Sequence, residues 1–125
     1  MKQPHNGILI VEDQADLRKL VSLTLRPTGQ RLREAVDGVT ALRACSEEPP
    51  DLVILDLMLP GGLDGVEVCR RIKSDPALAG TIVIMMTAAD QARERERARA
   101  AGADHYVPKP FSPGQLRALV QSLLD

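Results

Sequence analysis

Aromatic side chains are almost missing from this chain of 125 residues: it has one Tyr, one Phe and no Trp. Its core must therefore be almost wholly aliphatic. Charge of one sign is missing too. The formal net charge of -1 gives no pull towards nucleic acid or an anionic membrane. No apolar run is long enough to cross a bilayer. The opening residues, MKQPHNG, contain no apolar signal core, so export is not expected and a cytoplasmic location is. The two cysteines, Cys45 and Cys69, show no CxxC spacing and fall in predicted helices. They read as buried or half-buried thiols rather than a disulfide or a metal site. Repeats, low-complexity tracts and linkers are absent. A hydrophobic fraction of 44% is enough for a real core, and the length fits one domain spanning residues 1–125 with a short tail at 1–6.

What is present is a series of short apolar runs, each ending at a residue with chemistry to offer. Gly7–Val11 ends at Glu12-Asp13, Leu52–Leu55 at Asp56, and Ile82–Met86 at Thr87. A weaker run, Asp104–Val107, leads to Lys109-Pro110, and Leu32–Val36 is a short strand of mixed character. Unbroken apolar runs of this length read as parallel strands covered on both faces. Between them lie helical stretches. Asp13 stands where an N-cap would, ahead of Leu17, Leu20, Val21, Leu23 and Leu25. Val39, Leu42 and Cys45 follow the Asp37-Gly38 turn, and Val66, Val68, Cys69 and Ile72 precede Pro76. Asp90–Ala101 closes at Gly102, and Ser112 caps a helix that turns Leu116, Leu119, Val120 and Leu123 inward. The order is (βα)5, an α/β fold with a parallel sheet and helices on both faces.

In such a sheet the ligand site lies off the carboxyl ends of the strands. Glu12, Asp13, Asp56, Thr87 and Lys109 should therefore converge at one edge, a set suited to one divalent cation and one phosphoryl group. A carboxylate at the end of an apolar strand is costly unless paired or metal-bound. Near Mg²⁺ (Mn²⁺ would also serve), Asp56 can act as a nucleophile on phosphorus. Glu12 and Asp13 add oxygen ligands, which is ample for Mg²⁺. Lys109 offers a point charge to phosphate oxygens. Thr87 offers a hydroxyl, and Ala88 is small enough to leave room.

Through ILIVED, LVILDLMLP, LDG, MMTA and AGADHYVPKPF the chain resembles the response-regulator receiver domains of two-component signalling, the chemotaxis regulators among them, over essentially its whole length. The resemblance implies a flavodoxin-like, doubly wound five-stranded sheet of order 2-1-3-4-5. It implies that Asp56 takes a phosphoryl group from a sensor histidine kinase or a histidine phosphotransfer protein. Glu12, Asp13, Asp56 and the backbone carbonyl of Met58 would hold the metal, Lys109 would assist, and Thr87 with Tyr106 would form the switch. Lys109-Pro110 would be a cis peptide. The protein would be a switch that catalyses only its own phosphorylation and dephosphorylation. Its output would pass to an effector domain or protein, or to a phosphorylation-dependent homodimer, without direct nucleic-acid or membrane binding by this domain.

Several residues depart from that pattern. The loop from Asp56 to Asp64-Gly65 is one residue longer than the family's commonest form, and Gly61-Gly62 loosens it. Pro108 should stiffen the strand exit. His105, expected as an exposed strand residue, replaces an acidic residue that winged-helix members use in their dimer interface. The helix after Thr87 has only alanines as apolar residues and is supported by pairs such as Arg93/Glu96 and Glu94/Arg97, so it should shift easily. Phe111 reads as a plug at the start of the last helix. Two rival activities fit poorly. A haloacid-dehalogenase-type phosphatase needs an aspartate where Met58 stands. A flavodoxin-like electron carrier needs a hydroxyl- and glycine-rich phosphate loop where Glu12-Asp13-Gln14 would repel a flavin phosphate.

Overall fold

A computed structural model describes residues 6–88 and 92–125. The aliphatic runs become the middle of a sheet, because only a central strand can bury both of its faces. Strands β1 (Ile8–Val11) and β3 (Leu52–Asp56) are buried at every position. Strand β4 (Ile82–Ala88) is buried except at its ends. The outer strands, β2 (Leu32–Ala35) and β5 (His105–Lys109), are only partly buried. The sheet is parallel throughout, in the order β2-β1-β3-β4-β5. The doubly wound, five-stranded flavodoxin-like arrangement expected from the sequence is therefore observed. Pro108 lies within β5, which an edge strand tolerates. His105 is half-buried there rather than exposed.

Five helices cover the sheet: α1 (Ala15–Leu25), α2 (Gly38–Glu47), α3 (Gly65–Ser74), α4 (Ala92–Ala100) and α5 (Pro113–Leu124). Side-chain alternation along the strands splits the interior into two cores. Ile8, Ile10, Leu52, Ile54, Ile84 and Met86 pack with Val21 and Leu25 of α1 and with Leu116 and Val120 of α5. Leu9, Val53, Leu55, Val83 and Met85 face Cys45 of α2, Val68 and Ile72 of α3, and Ala98 of α4. Both cysteines are free and buried, and burial pushes each thiol up to about 11.

The helix boundaries correct some expectations. Asp13 is not the cap of α1. Gln14 holds that position without a side-chain cap bond, and Asp13 is exposed. Asp37-Gly38 is the start of α2 rather than a turn before it: the Asp37 carboxylate accepts from the Thr40 amide at 2.8 Å in a capping box. Leu20, Leu23 and Val39, counted among the apolar residues of the predicted helices, are exposed. Strands β4 and β5 run on through Thr87 and Lys109, further than the apolar runs suggested. Ser112 caps α5 as expected, and Gly102 after α4 has a φ of 99°. Residues 1–5 of the expected tail and Asp90, the expected start of α4, lie outside the described residues.

Gly65 is fixed by space rather than by φ. A Cβ there would stand 2.2 Å from the Asp56 carbonyl oxygen and 2.8 Å from Leu57 Cα. The Gly65 amide also donates to the Leu57 carbonyl at 3.0 Å. Helix α3 is thus laid directly on the backbone at the end of β3. Gly65→Ala should destabilise the fold by about 1–3 kcal/mol, because the overlap is with backbone that cannot rotate away. Urea unfolding of the variant beside wild type measures this, and an unchanged midpoint would contradict the tight contact.

Candidate functional site

Lys109 crosses from the sheet edge to the centre. Strand β5 is separated from β3 by β4, and from β1 by both, so a long side chain is needed to span the strand ends. Lys109 Nζ donates to Asp56 Oδ1 at 2.9 Å and to Glu12 Oε1 at 3.2 Å. Glu12 and Asp56 are only 3% and 5% exposed. Two carboxylates are thereby held close together out of water with one ammonium between them. Desolvation, the largest influence on Glu12, raises its pKa. The Asp56 charge adds to this, while the Gln14 amide and Lys109 oppose it in part. Burial would lower the Lys109 ammonium, but the Asp56 hydrogen bond and the charges of Asp56 and Glu12 outweigh it and leave its pKa raised.

Asp13, freed from capping, completes the cluster. One carboxylate oxygen from each of Glu12, Asp13 and Asp56 lies within 4.8 Å of the others. Three carboxylates against one ammonium leave a formal charge of -2. An all-oxygen donor set with that charge fits a hard divalent cation such as Mg²⁺. The remaining contacts orient the acids. Glu12 Oε2 accepts from the Gln14 amide at 3.0 Å, and Asp56 Oδ1 accepts from the Met58 amide at 3.3 Å. The contact observed for Met58 is thus through its N–H.

Thr87 and Tyr106 stand on the other face of the sheet. Asp56 pairs in register with Met86, and Met85 pairs with Tyr106. Alternation puts Asp56 on the side of Ile54 and Met86, towards α1 and α5. It puts Thr87 and Tyr106 on the side of Met85, towards α4. Thr87 is buried, one residue past the β4 partner of Asp56. Tyr106 is half-buried, with Arg95 of α4 5.5 Å from its ring centroid. Its hydroxyl is buried without a partner among the described residues, and burial raises its pKa. So the structure brings Glu12, Asp13, Asp56 and Lys109 together, and sets Thr87 and Tyr106 behind them. The Lys109-Pro110 peptide is cis.

Two features of the site escaped the sequence reading. One is the seating of Gly65 on the Asp56 backbone. The other is an apolar groove lined by Leu17, Leu20, Pro110 and Phe111 beside Lys109. Leu20 fits the apolar stripe of α1 in the sequence, so its exposure shows only in the structure. Phe111 is half-buried against the α1–α5 core, as expected of a plug, while also lining this groove. No helix of the described residues is long and apolar enough to cross a membrane.

Comparison with known proteins agrees with this geometry. The family model for the response regulator receiver domain matches residues 8–121. The phosphate regulon transcriptional regulatory protein PhoB of Escherichia coli is 38% identical over 117 residues, covering 94% of this chain and 51% of that protein. Among solved structures, the receiver domain of NtrX from Brucella abortus is 34% identical with a TM-score of 0.83, covering 94% of this chain and 97% of that one. The chemotaxis response regulator CheY4 of Vibrio cholerae is 27% identical with a TM-score of 0.87, covering 97% and 100%. The chain spans about half the length of the curated relatives it matches. From the start of β1 into α5, then, the chain belongs to the receiver domains of response regulators, the signalling switches of two-component systems.

Proposed function

We propose that the chain works as one receiver unit in which Asp56 is the phosphoryl acceptor. The observation that carries this is the position of its carboxylate: buried at the end of β3, within an acidic cluster, and hydrogen-bonded to Lys109. A carboxylate oxygen of Asp56 attacks the phosphorus of a phosphohistidine. The P–O bond forms as the P–N bond breaks, and the imidazole leaves with its electron pair and takes up a proton. Lys109 turns from the carboxylates to the phosphoryl oxygens, for which an ammonium is a suitable point charge. The Thr87 hydroxyl donates to another of those oxygens, in the space left by Ala88. Mg²⁺ or Mn²⁺, held by Glu12, Asp13, Asp56 and the Met58 carbonyl, would neutralise charge on the phosphoryl group. The chemistry is confined to gaining and losing this one group.

The phosphodonor is a histidine kinase or histidine phosphotransfer protein, and the groove of Leu17, Leu20, Pro110 and Phe111 gives it an apolar seat beside Lys109. Movement of Thr87 towards the phosphoryl group opens space on the α4 side of β4, into which Tyr106 turns. The surface of α4, β5 and α5 then changes for an effector domain, an effector protein or a second copy of the chain. Such a switch needs a gap of only a few kcal/mol between its states. Its place of action is the cytoplasm.

With Mg²⁺ and acetyl phosphate, wild type should take up one acid-labile phosphoryl group and Asp56→Asn none, as read by intact mass before and after acid. Uptake by Asp56→Asn at the wild-type rate would sink the assignment. The cation has an effect of its own. Because it binds only the native state, Mg²⁺ at a few multiples of its Kd should add about 1 kcal/mol of stability. Asp13→Asn should shrink that gain and, by easing repulsion, stabilise the metal-free protein. Thermal melts with and without millimolar Mg²⁺ check both signs.

A further inference from the structure

Helix α4 is poorly anchored by apolar contact. Its nine residues, ARERERARA, carry four arginines and two glutamates, and Ala98 is the one buried residue. Burying a single alanine contributes little, so a polar contact must help fix the helix in place. Most of its ion pairs cannot do this. Glu96 pairs with Arg99, rather than with Arg93 as the spacing suggested, and Glu94 pairs with Arg97 at 2.7 Å, all within α4. Among the described residues, Arg97 makes the one ion pair from α4 to another element: its Nη2 lies 3.5 Å from Asp64 Oδ2.

Asp64 is a fixed point. Its other carboxylate oxygen accepts from the Glu67 amide at 2.9 Å, capping α3. The next residue is Gly65, which rests on the Asp56 and Leu57 backbone. Arg97 therefore ties α4 to a position set by the acceptor strand. Two residues back along α4, Arg95 lies over Tyr106, so a helix released from Asp64 carries Arg95 and the ring's surroundings with it.

We infer that the Arg97–Asp64 ion pair is a strap that holds α4 in its resting position and opposes the activated one, with Arg97 as a positioning residue. The strap's part in switching rests on Asp56 being the acceptor. At 3.5 Å the pair is near its limit, so an outward shift of α4 by about an ångström breaks it. The two side chains are 50% and 44% exposed, so its loss should change the balance of states only about two- to fivefold.

The test compares wild type with Arg97→Gln, Asp64→Asn and the double variant. Asparagine keeps the cap of α3, so the fold is spared. In metal-free protein, amide exchange across Ala92–Ala100 should speed up about two- to fivefold in each single variant, with no further gain in the double variant. Arg97→Lys should restore the wild-type rate in part. With Mg²⁺ present, beryllofluoride should bind both single variants about two- to fivefold more tightly, followed through the emission of Tyr106, the only tyrosine of a chain without tryptophan. Unchanged exchange, or strictly additive effects, would overturn the strap, and equal or weaker beryllofluoride binding would overturn its bias on the switch. A wild type that shows no bound beryllofluoride by fluorine NMR would overturn the acceptor reading instead, leaving the exchange result to decide the strap.

Discussion

Everything at the carboxyl edge of the sheet depends on the ammonium of Lys109 between two buried carboxylates. Glu12 and Asp56 end neighbouring strands, so the sheet itself forces them together. Without a cation between them, desolvation and mutual repulsion would favour protonating one of them. Lys109 sets a compensating charge between the two carboxylates, and a single flexible side chain can leave them when a stronger charge arrives. Breaking a buried pair by removing one partner leaves an uncompensated charge, so the resting site needs either the lysine or a metal. The same electrostatics that stabilise the resting fold therefore prepare it for a cation and a phosphoryl group.

Sheet pleating divides the labour. Residues two apart on a strand share a face, and neighbours do not. Glu12, Asp56 and Lys109 lie on the α1–α5 side, while Thr87 and Tyr106 lie on the α4 side. A phosphoryl group on Asp56 can act on the far face only around the end of β4, where Thr87 stands. This is why a buried hydroxyl at a strand end, rather than a charge, can carry the signal. In the proposed switch it would move a short way within one strand end, and the space it leaves would open on the other face.

Much of this was legible in the sequence, and for a definite reason. Strands β1, β3 and β4 are unbroken aliphatic runs, and a charge at the end of such a run is conspicuous. Glu12 and Asp56 could be found that way, Lys109 came from the weaker run of β5, and the structure brings all three together. The parts that were not legible depend on contacts between distant segments. Asp13 looks like a helix cap because local spacing cannot tell a cap from a residue just before it. Leu20, Leu23 and Val39 fit helical stripes, but which side of a helix meets the sheet is decided by neighbours. Glu96 has an arginine on either side at the same spacing, and its choice of Arg99 follows from side-chain geometry. The pairing of Arg97 with Asp64 joins residues 33 apart in the numbering of the chain, and no local pattern announces it.

The mechanical contrast within the fold completes the picture. A closely packed aliphatic core has no room to give, so the sheet and helices α1, α3 and α5 act as a frame. Among the described residues, helix α4 meets that frame through one buried alanine, one exposed ion pair and an arginine over a tyrosine ring. Free energies of local opening follow the density of such contacts. The weakest element therefore borders Tyr106, while the strongest holds Asp56. In the proposed switch, a phosphoryl group on Asp56 would need to contribute only the small difference between two positions of α4, with the frame keeping Asp56 and Lys109 aligned in both.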